Sequence, residues 1–308
     1  MKKITLLLTL LSFKLFAGVC LHVGFQSGLT CSGKGITIDD LNIDFSTKMK
    51  VSDKALTVVD IPIYIYSNKK RKVKLLLNEN QPLSNGQENI NTKFFLIKRN
   101  KEREITLGKP IKLVGRRKRK KFNGHTIVAY LRIQVNALSD TQTAGKYQLK
   151  KSLQAIVRRT TSPTASLTAT GEVEQVTMVG FENVSSYTTQ QRFKDATINY
   201  GLIDFDTVNR QVRDIYVKNN TLGACQISFT TSPLISQIDP NYKIDMNYFY
   251  QQEGEKRHQI LNSEPFTLIR GKSDGSKVGN MTFETEQLKS SLIAGDYKAV
   301  IHVTVSAN

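Results

Sequence analysis

Histidine and cysteine are scarce in this 308-residue chain, and with them go the commonest groups of enzyme and metal chemistry. The four histidines, His22, His125, His258 and His302, lie far apart, and none has a partner at ligand spacing. No nucleophile elbow, phosphate-binding glycine loop or zinc pattern occurs. Asp239 and Asp245, near Tyr242, read as loop residues rather than as paired acids. The residues therefore argue against an enzyme and call for no metal and no cofactor. Also missing is an apolar run long enough to cross a bilayer: Ile4 to Leu11 is too short, and Lys14 ends it. Sustained helical periodicity is absent as well.

Residues 1–17 fit an export signal. Lys2 and Lys3 form its basic start, Ile4 to Leu11 its apolar run, and Ala17 its cleavage point. Export puts Cys20, Cys31 and Cys225 in an oxidising compartment. Cys20–Cys31 is then the expected bridge, closing a short loop near the mature amino terminus, with Cys31–Cys225 as the alternative. Cys225 reads as a buried free thiol in a strand over 223–229.

The body of the chain is a series of short, alternating segments broken by turn residues. Val58 to Tyr66 is the clearest, with Ile61, Ile63 and Ile65 set against Pro62, Tyr64 and Tyr66; Pro62 suggests a sheet edge or a strand start. Ile36 to Phe45, Val73 to Leu77, Lys93 to Arg99, Ile105 to Leu113, Thr126 to Leu138 and Tyr147 to Val157 read as further strands. In the second half so do Val176 to Phe181, Ala196 to Phe205, Val212 to Lys218, Cys225 to Thr230, Lys243 to Tyr250, Phe266 to Arg270 and Val278 to Phe283. The expected class is all-β, as two β-sandwiches.

The last segment organises the rest. After the turn at Ala294-Gly295, Tyr297, Ala299, Ile301, Val303 and Val305 share one face, and Lys298, His302 and Thr304 lie largely on the other. The sequence closes at Asn308, so this strand is expected to present an open apolar groove unless an earlier strand covers it. Thr143-Ala-Gly-Lys-Tyr147 repeats the ending. Leu41 to Thr47 resembles Gly201 to Thr207, Ile63 to Asn68 resembles Asp214 to Asn219, and Pro82-Leu83 resembles Pro233-Leu234. The common order, at offsets of roughly 150–160 residues, indicates a duplicated domain. Expected boundaries are a first domain over 18–160, a linker over 161–172 and a second domain over 173–308. Within the Ser/Thr-rich linker Ala165, Leu167, Ala169, Gly171 and Val173 alternate with polar residues. That pattern lets it serve instead as a thin strand completing the first sandwich beside Tyr147 to Val157.

Charge is one-sided. Residues 18–160 hold 28 Lys+Arg against 10 Asp+Glu, whereas 161–308 hold 13 against 16. The excess gathers in Arg116, Arg117, Lys118, Arg119, Lys120 and Lys121, in the turn Lys69, Lys70, Arg71 and Lys72, and in Arg158 and Arg159. Clustered cations add their fields over a Debye length of about 8 Å, and Arg grips carboxylate or sulfate with paired hydrogen bonds. An anionic surface partner follows, a sialylated or sulfated glycan in particular; export excludes nucleic acid.

The Ala-Gly-Asp-Tyr…Ile-His-Val-Thr-Val ending resembles the last strand of chaperone–usher fimbrial subunits, especially the CFA/I-like class. So do Gly-Leu-Ile-Asp-Phe at 201–205 and Val-Arg-Asp-Ile-Tyr-Val-Lys-Asn-Asn at 212–220. The resemblance implies immunoglobulin-like sandwiches, the carboxy-terminal one short of a strand. A periplasmic chaperone would fill the gap first, and the adjacent pilin subunit would replace it at the outer-membrane usher. It implies a two-domain tip or minor adhesin, exported through the periplasm to a surface fimbrium and bound to a host-surface anionic glycan. Two alternatives share the two-domain plan. A periplasmic assembly chaperone needs a complete second sandwich. A tandem shaft pilin needs a free amino-terminal strand.

Overall fold

The structure, a computed structural model, describes residues 19–31, 33–45, 49, 56–115, 122–139, 141–186, 192–194, 197–201, 203, 206–288 and 292–307. The export signal expected over 1–17 and the basic run Arg116–Lys121 lie outside them. Every regular element among the described residues is a strand, and no sheet closes into a barrel. Contacts divide the chain into two units. One takes the described residues of 19–45, 56–137 and 147–171; the other takes residue 49 and those of 138–146 and 172–307.

The first unit is built from β1 (Cys20–Gly24), β2 (Gly35–Ile38), β3 (Leu41–Asp44), β4 (Thr57–Ser67), β5 (Val73–Ser84), β6 (Asn89–Ile90), β7 (Thr92–Lys98), β8 (Lys101–Glu104), β9 (Ile111–Val114), β10 (Phe122–Val135), β11 (Gly145–Val157), β12 (Thr160–Thr161) and β13 (Ala165–Val173). One sheet runs β2-β1-β4-β10-β7-β8 and the other β3-β13-β11-β5-β6, with β9 on β5 and β12 on β11. Alternation decides what is enclosed: Ile63, Ile65, Leu131 and Ile133 of the first sheet and Leu75, Leu77, Leu153 and Leu167 of the second are all fully buried. Ile36 to Phe45 is two strands rather than one, because Asp39 and Asp40 carry the chain between sheets. Pro62 sits in an internal strand, not at an edge. Its missing N–H is tolerated because β1 ends at Gly24, opposite Tyr64, and leaves position 62 unpaired on that side. β13 lies between β3 and β11, with Ala165, Leu167, Ala169 and Val173 facing inward. Cys20 and Cys31 are bonded, their Cα atoms 6.2 Å apart.

The second unit is built from β14 (Thr177–Gly180), β15 (Arg192–Phe193), β16 (Arg210–Asn219), β17 (Ala224–Thr231), β18 (Leu234–Ser236), β19 (Lys243–Ile244), β20 (Met246–Gln252), β21 (His258–Gln259), β22 (Phe266–Arg270), β23 (Ser273–Thr285), β24 (Tyr297–Lys298) and β25 (Ile301–Ala307). Its large sheet, β15-β14-β16-β23-β20-β21, repeats the order of the first unit strand for strand. In both, the first strand pairs in parallel with the second and antiparallel with the next long strand. This is the architectural counterpart of the sequence repeats. The facing side is smaller: β22-β17-β25, and separately β19-β18-β24. Between them lie Ile215, Val217, Ile227, Phe229, Met281 and Phe283, all buried. Phe283 meets Phe181 and Tyr248 edge-on, at centroid distances of 5.7 and 5.9 Å. Cys225 is free and buried.

Three expected strands differ here. Lys243 to Tyr250 is split at Asp245 into β19, which pairs with β18, and β20, which pairs with β23 in the large sheet. Of Ala196 to Phe205, residues 197–201 and 203 are described, and they form no strand. Gly201 takes φ +68° and donates its N–H to Asn199 Oδ1 at 2.8 Å, a local turn that competes with extension. The closing segment is split into β24 and β25. Opposite the break stands Pro233, which offers no N–H to the ladder, while Ser232 bonds Val300 through both its N–H and its hydroxyl.

Candidate functional site

Two places in the chain gather the groups singled out by sequence, one in each unit. In the second unit it is the free flank of β25. This strand pairs antiparallel with β17, from Ile301↔Thr231 to Ala307↔Cys225, and among the described residues has no strand on its other side. The direction of its peptide groups follows from its neighbour. Phe229 C=O accepts from Ser263 N–H at 2.6 Å and Thr231 N–H donates to Asn262, so odd-numbered residues of β17 turn their peptides away from β25. Ser232 N–H, by contrast, donates to Val300 C=O at 3.1 Å. Register then aims the peptides of His302 and Thr304 at β17, and those of Ile301, Val303 and Val305 at the open flank. At the end of that flank Ala307 C=O accepts from Gln175 Nε2 at 3.1 Å, a side chain standing where a strand would bond.

The same odd-numbered residues carry the inward side chains. Tyr297, Ala299, Ile301, Val303 and Val305 are all half-buried and alternate with exposed neighbours. Ile301, Val303 and Val305 pack on the main core and Tyr297 and Ala299 on the cluster of Leu234, Ile244 and Leu288, with Met246 against both. Next door in β17, Cys225, Ile227 and Phe229 are at most 1% exposed. The sharper comparison is with β11, the equivalent strand of the first unit. Each follows a glycine in the left-handed half of φ, Gly145 at +123° and Gly295 at +143°. Yet β11 is flanked on both sides, and its Tyr147, Leu149, Leu153 and Ala155 are at most 1% exposed. The difference is β13, which covers β11 and has no counterpart against β25 among the described residues. Among the described residues of the first unit β3 pairs only with β13, and the resembling segment from Gly201 shows no strand.

Sequence reasoning missed the other wall. Phe181, Phe193, Ile198 and Tyr200 are partly buried against the same core as Ile301, Val303 and Val305. Tyr200 Oη is enclosed without a hydrogen-bond partner, and burial pushes its hydroxyl well above the usual tyrosine range. The signal for it in the sequence is the alternation of Ile198 and Tyr200.

In the first unit the site is an end of the sandwich where basic turns meet. Val157, Val73 and Val114 stand abreast across β11, β5 and β9. Arg158 and Arg159 follow the first of these, Lys69 to Lys72 lead into the second, and Gly115 follows the third. Phe122, which resumes the chain after the undescribed basic run, pairs with Ser67, just before Lys69. Clusters about 90 residues apart in sequence are thus brought to one end. Lys70, Lys72, Arg158 and Arg159 are exposed, and Lys69 and Arg71 are half-buried. Ser67 Oγ donates to Lys69 C=O at 2.6 Å and shapes the turn. Arg71 Nε is enclosed without a partner. Lys98, not singled out by sequence, donates from Nζ to Leu113 C=O beside this end. Desolvation, then Arg99 and Lys112, hold its ammonium below the usual lysine range.

No family model and no curated protein matches the sequence. The structure is similar to several solved ones. It covers 94% of this chain and 99% of the matched chain in a chaperone–tip adhesion subunit pre-assembly complex from the archaic Csu pili of Acinetobacter baumannii, at 10% identity and TM-score 0.40. With CfaE, the adhesive subunit of CFA/I fimbria of enterotoxigenic Escherichia coli, the coverage is 87% and 97%, at 11% identity and TM-score 0.35. With the tip adhesin CupB6 from Pseudomonas aeruginosa it is 93% and 94%, at 10% identity and TM-score 0.36.

Proposed function

We propose that this chain is an adhesive subunit of a surface fibre, a tip or minor adhesin joined to the fibre through its second unit. The open flank of β25 carries the proposal. Three peptide groups face the place that β13 fills in the first unit, and the inward side chains of the same three residues are only half-buried beside it. A strand from an adjacent subunit would bond Ile301, Val303 and Val305 and finish burying them. Full burial of such side chains is worth roughly 1.5–3 kcal/mol each, so completing a half-buried one adds about 1 kcal/mol, before the new hydrogen bonds are counted. A periplasmic chaperone would occupy the same flank until the usher passes the subunit on. The chaperone alternative fits poorly, since it requires a complete second sandwich. The shaft-pilin alternative also fits poorly: β1 is bonded to β2 and β4 and tied by Cys20–Cys31, so it is not free to be donated. The first unit, on this reading, holds a host-surface glycan bearing carboxylate or sulfate at its basic end, through Lys69–Lys72, Arg158 and Arg159, with Arg116–Lys121 in the same role. Export through the periplasm follows from the signal expected over 1–17.

The test uses the chain's own filler. Appending residues 164–174, which include β13, after Asn308 through a short flexible linker offers β25 the strand that β11 already has. The fusion is expected to resist aggregation and to melt several degrees higher, about 2–4 °C per kcal/mol gained for a unit of this size. A control with Leu167 and Ala169 replaced by Asp should show neither effect. If the unfused mature chain is monomeric, melts as high as the fusion and already protects the amides of Val303 and Val305, the proposal fails.

A further inference from the structure

The outward face of the first unit's six-stranded sheet departs from what a solvated sheet face should be. Alternation buries Ile61, Ile63 and Ile65 and turns Pro62, Tyr64 and Tyr66 outward. On the next strand Ile127 lies opposite Tyr64 and Tyr130 opposite Pro62, and beyond them Ile97 lies opposite Tyr130. Ile127 and Tyr130 are 41% and 38% exposed. These residues are adjacent across strands and make one contiguous aromatic and apolar strip. On the matching sheet of the second unit the apolar residues of this face are largely covered: Tyr216 packs on Val176, Met178 and Val184, and Arg257, paired with Glu284 at 2.6 Å, lies over the Phe249 ring.

The two ends of the strip differ in charge. Beyond Tyr66 the chain enters Ser67 and the basic turn Lys69–Lys72, and Phe122 opposite Ser67 adjoins the Arg116–Lys121 run. At the other end Arg132 is held by both oxygens of Asp60 at 2.7 Å and by Glu102 at 3.0 Å. Two carboxylates there face one guanidinium. From Pro62 to Tyr66 the strip spans about 13 Å along the strand. An elongated ligand laid on it meets an excess of positive charge at the Tyr66 end and an excess of carboxylate at the other.

We propose that this strip is a second subsite for the ligand of the basic end, and that the ligand is an acidic oligosaccharide. Its carboxylate or sulfate sits among Lys70, Lys72, Arg158 and Arg159. The neutral sugar rings that follow stack on Tyr66, Tyr64 and Tyr130. A pyranose ring presents a face of C–H groups edged with hydroxyls, which suits half-exposed tyrosines: a flat apolar body with a hydrogen-bonding tip. This inference rests on the glycan-binding reading of the first unit and adds to it the orientation, the length requirement and the residues that read the neutral rings.

The test compares three probes on the full mature chain: a sialylated pentasaccharide, free sialic acid and the same pentasaccharide without its sialic acid. Two variants are used, Y64A/Y66A/Y130A, and K70S/K72S/R158S/R159S; all substituted positions face outward, and melting temperatures confirm folding. The tyrosine variant is expected to weaken the sialylated pentasaccharide about tenfold or more, to leave free sialic acid unchanged and to keep the salt dependence of binding. Y64F/Y66F/Y130F should restore most of the loss. The basic variant should weaken both acidic probes and flatten the salt dependence. If the tyrosine variant binds the pentasaccharide as well as wild type while the basic variant does not, the strip is no subsite, and the basic end stands alone. If wild type binds no acidic probe, the glycan reading itself falls. Tyrosine-dependent self-association with unchanged sugar binding would mark the strip as a contact between copies and overturn the inference.

Discussion

Gly124 is held where no other residue fits. Its φ is +82°, and a Cβ placed on it would come within 2.1 Å of Leu29 C=O. Its own C=O accepts from Gly28 N–H at 3.1 Å, which ties the Cys20–Cys31 loop to β10. Gly124→Ala should therefore cost about 2–3 kcal/mol or more, through strain and a forced shift of backbone. The denaturation midpoint of the first unit would measure it; a change below half a kcal/mol would show that the loop is not pinned there. Cys225 is a residue-scale case of a different kind. Burial pushes its thiol from 9.0 up to about 12. The native state then keeps a proton that the unfolded chain has lost between these values. Stability is full below pH 9 and falls as pH rises toward 12. Thiol reagents at pH 8 should label Cys225 only after unfolding, and Cys225→Ala should flatten the decline of the urea midpoint between pH 9 and 11. Rapid labelling of the native chain would contradict the burial.

At the scale of elements, β11 and β25 are the same strand in two surroundings, and this makes a directional prediction. In the unfused mature chain the amides of Ile301, Val303 and Val305 should exchange within seconds to minutes. Those of His302 and Thr304, aimed at β17, should be protected by orders of magnitude more. Equal protection along the strand, read by hydrogen exchange, would mean that the open flank is covered. Comparison of the same two strands shows what sequence could and could not reveal. The faces of Tyr297 to Val305 were legible because a strand's alternation needs no partner to be read. The break between β24 and β25 was not, because its cause is Pro233, which stands opposite between β17 and β18. The order of β3, β13 and β11 was partly legible: the small, alternating residues from Ala165 to Val173 suit a thin strand with one buried face and a neighbour on each edge. The loss of extension near Gly201 was hidden, since the residues resemble those of β3, and pairing decides whether they extend. Pro62 misled for the same reason, since its tolerance depends on where β1 stops.

For the whole molecule, charge is the quantity that no single element explains. The basic excess lies entirely before residue 161, and β11, β5 and β9 deliver its clusters to one end of one unit. Composition showed the excess and sequence showed the clusters; only the pairing of Val157, Val73 and Val114 shows that they converge. Convergence has a measurable signature that dispersed charge lacks. Cations within a Debye length act together, so binding to a dense polyanion should depend on salt more steeply than independent sites of about 0–1 kcal/mol each would allow. The mature chain should be retained on immobilised heparin and elute at a salt concentration well above physiological. Replacing Lys69–Lys72 with Ser, or Arg158 and Arg159 with Ser, should each lower that concentration. Replacing both should lower it by less than the sum, because either replacement alone already forfeits the field that the two clusters share. Strict additivity would place the clusters too far apart to act on one ligand, and the first unit would then be basic without having a basic site.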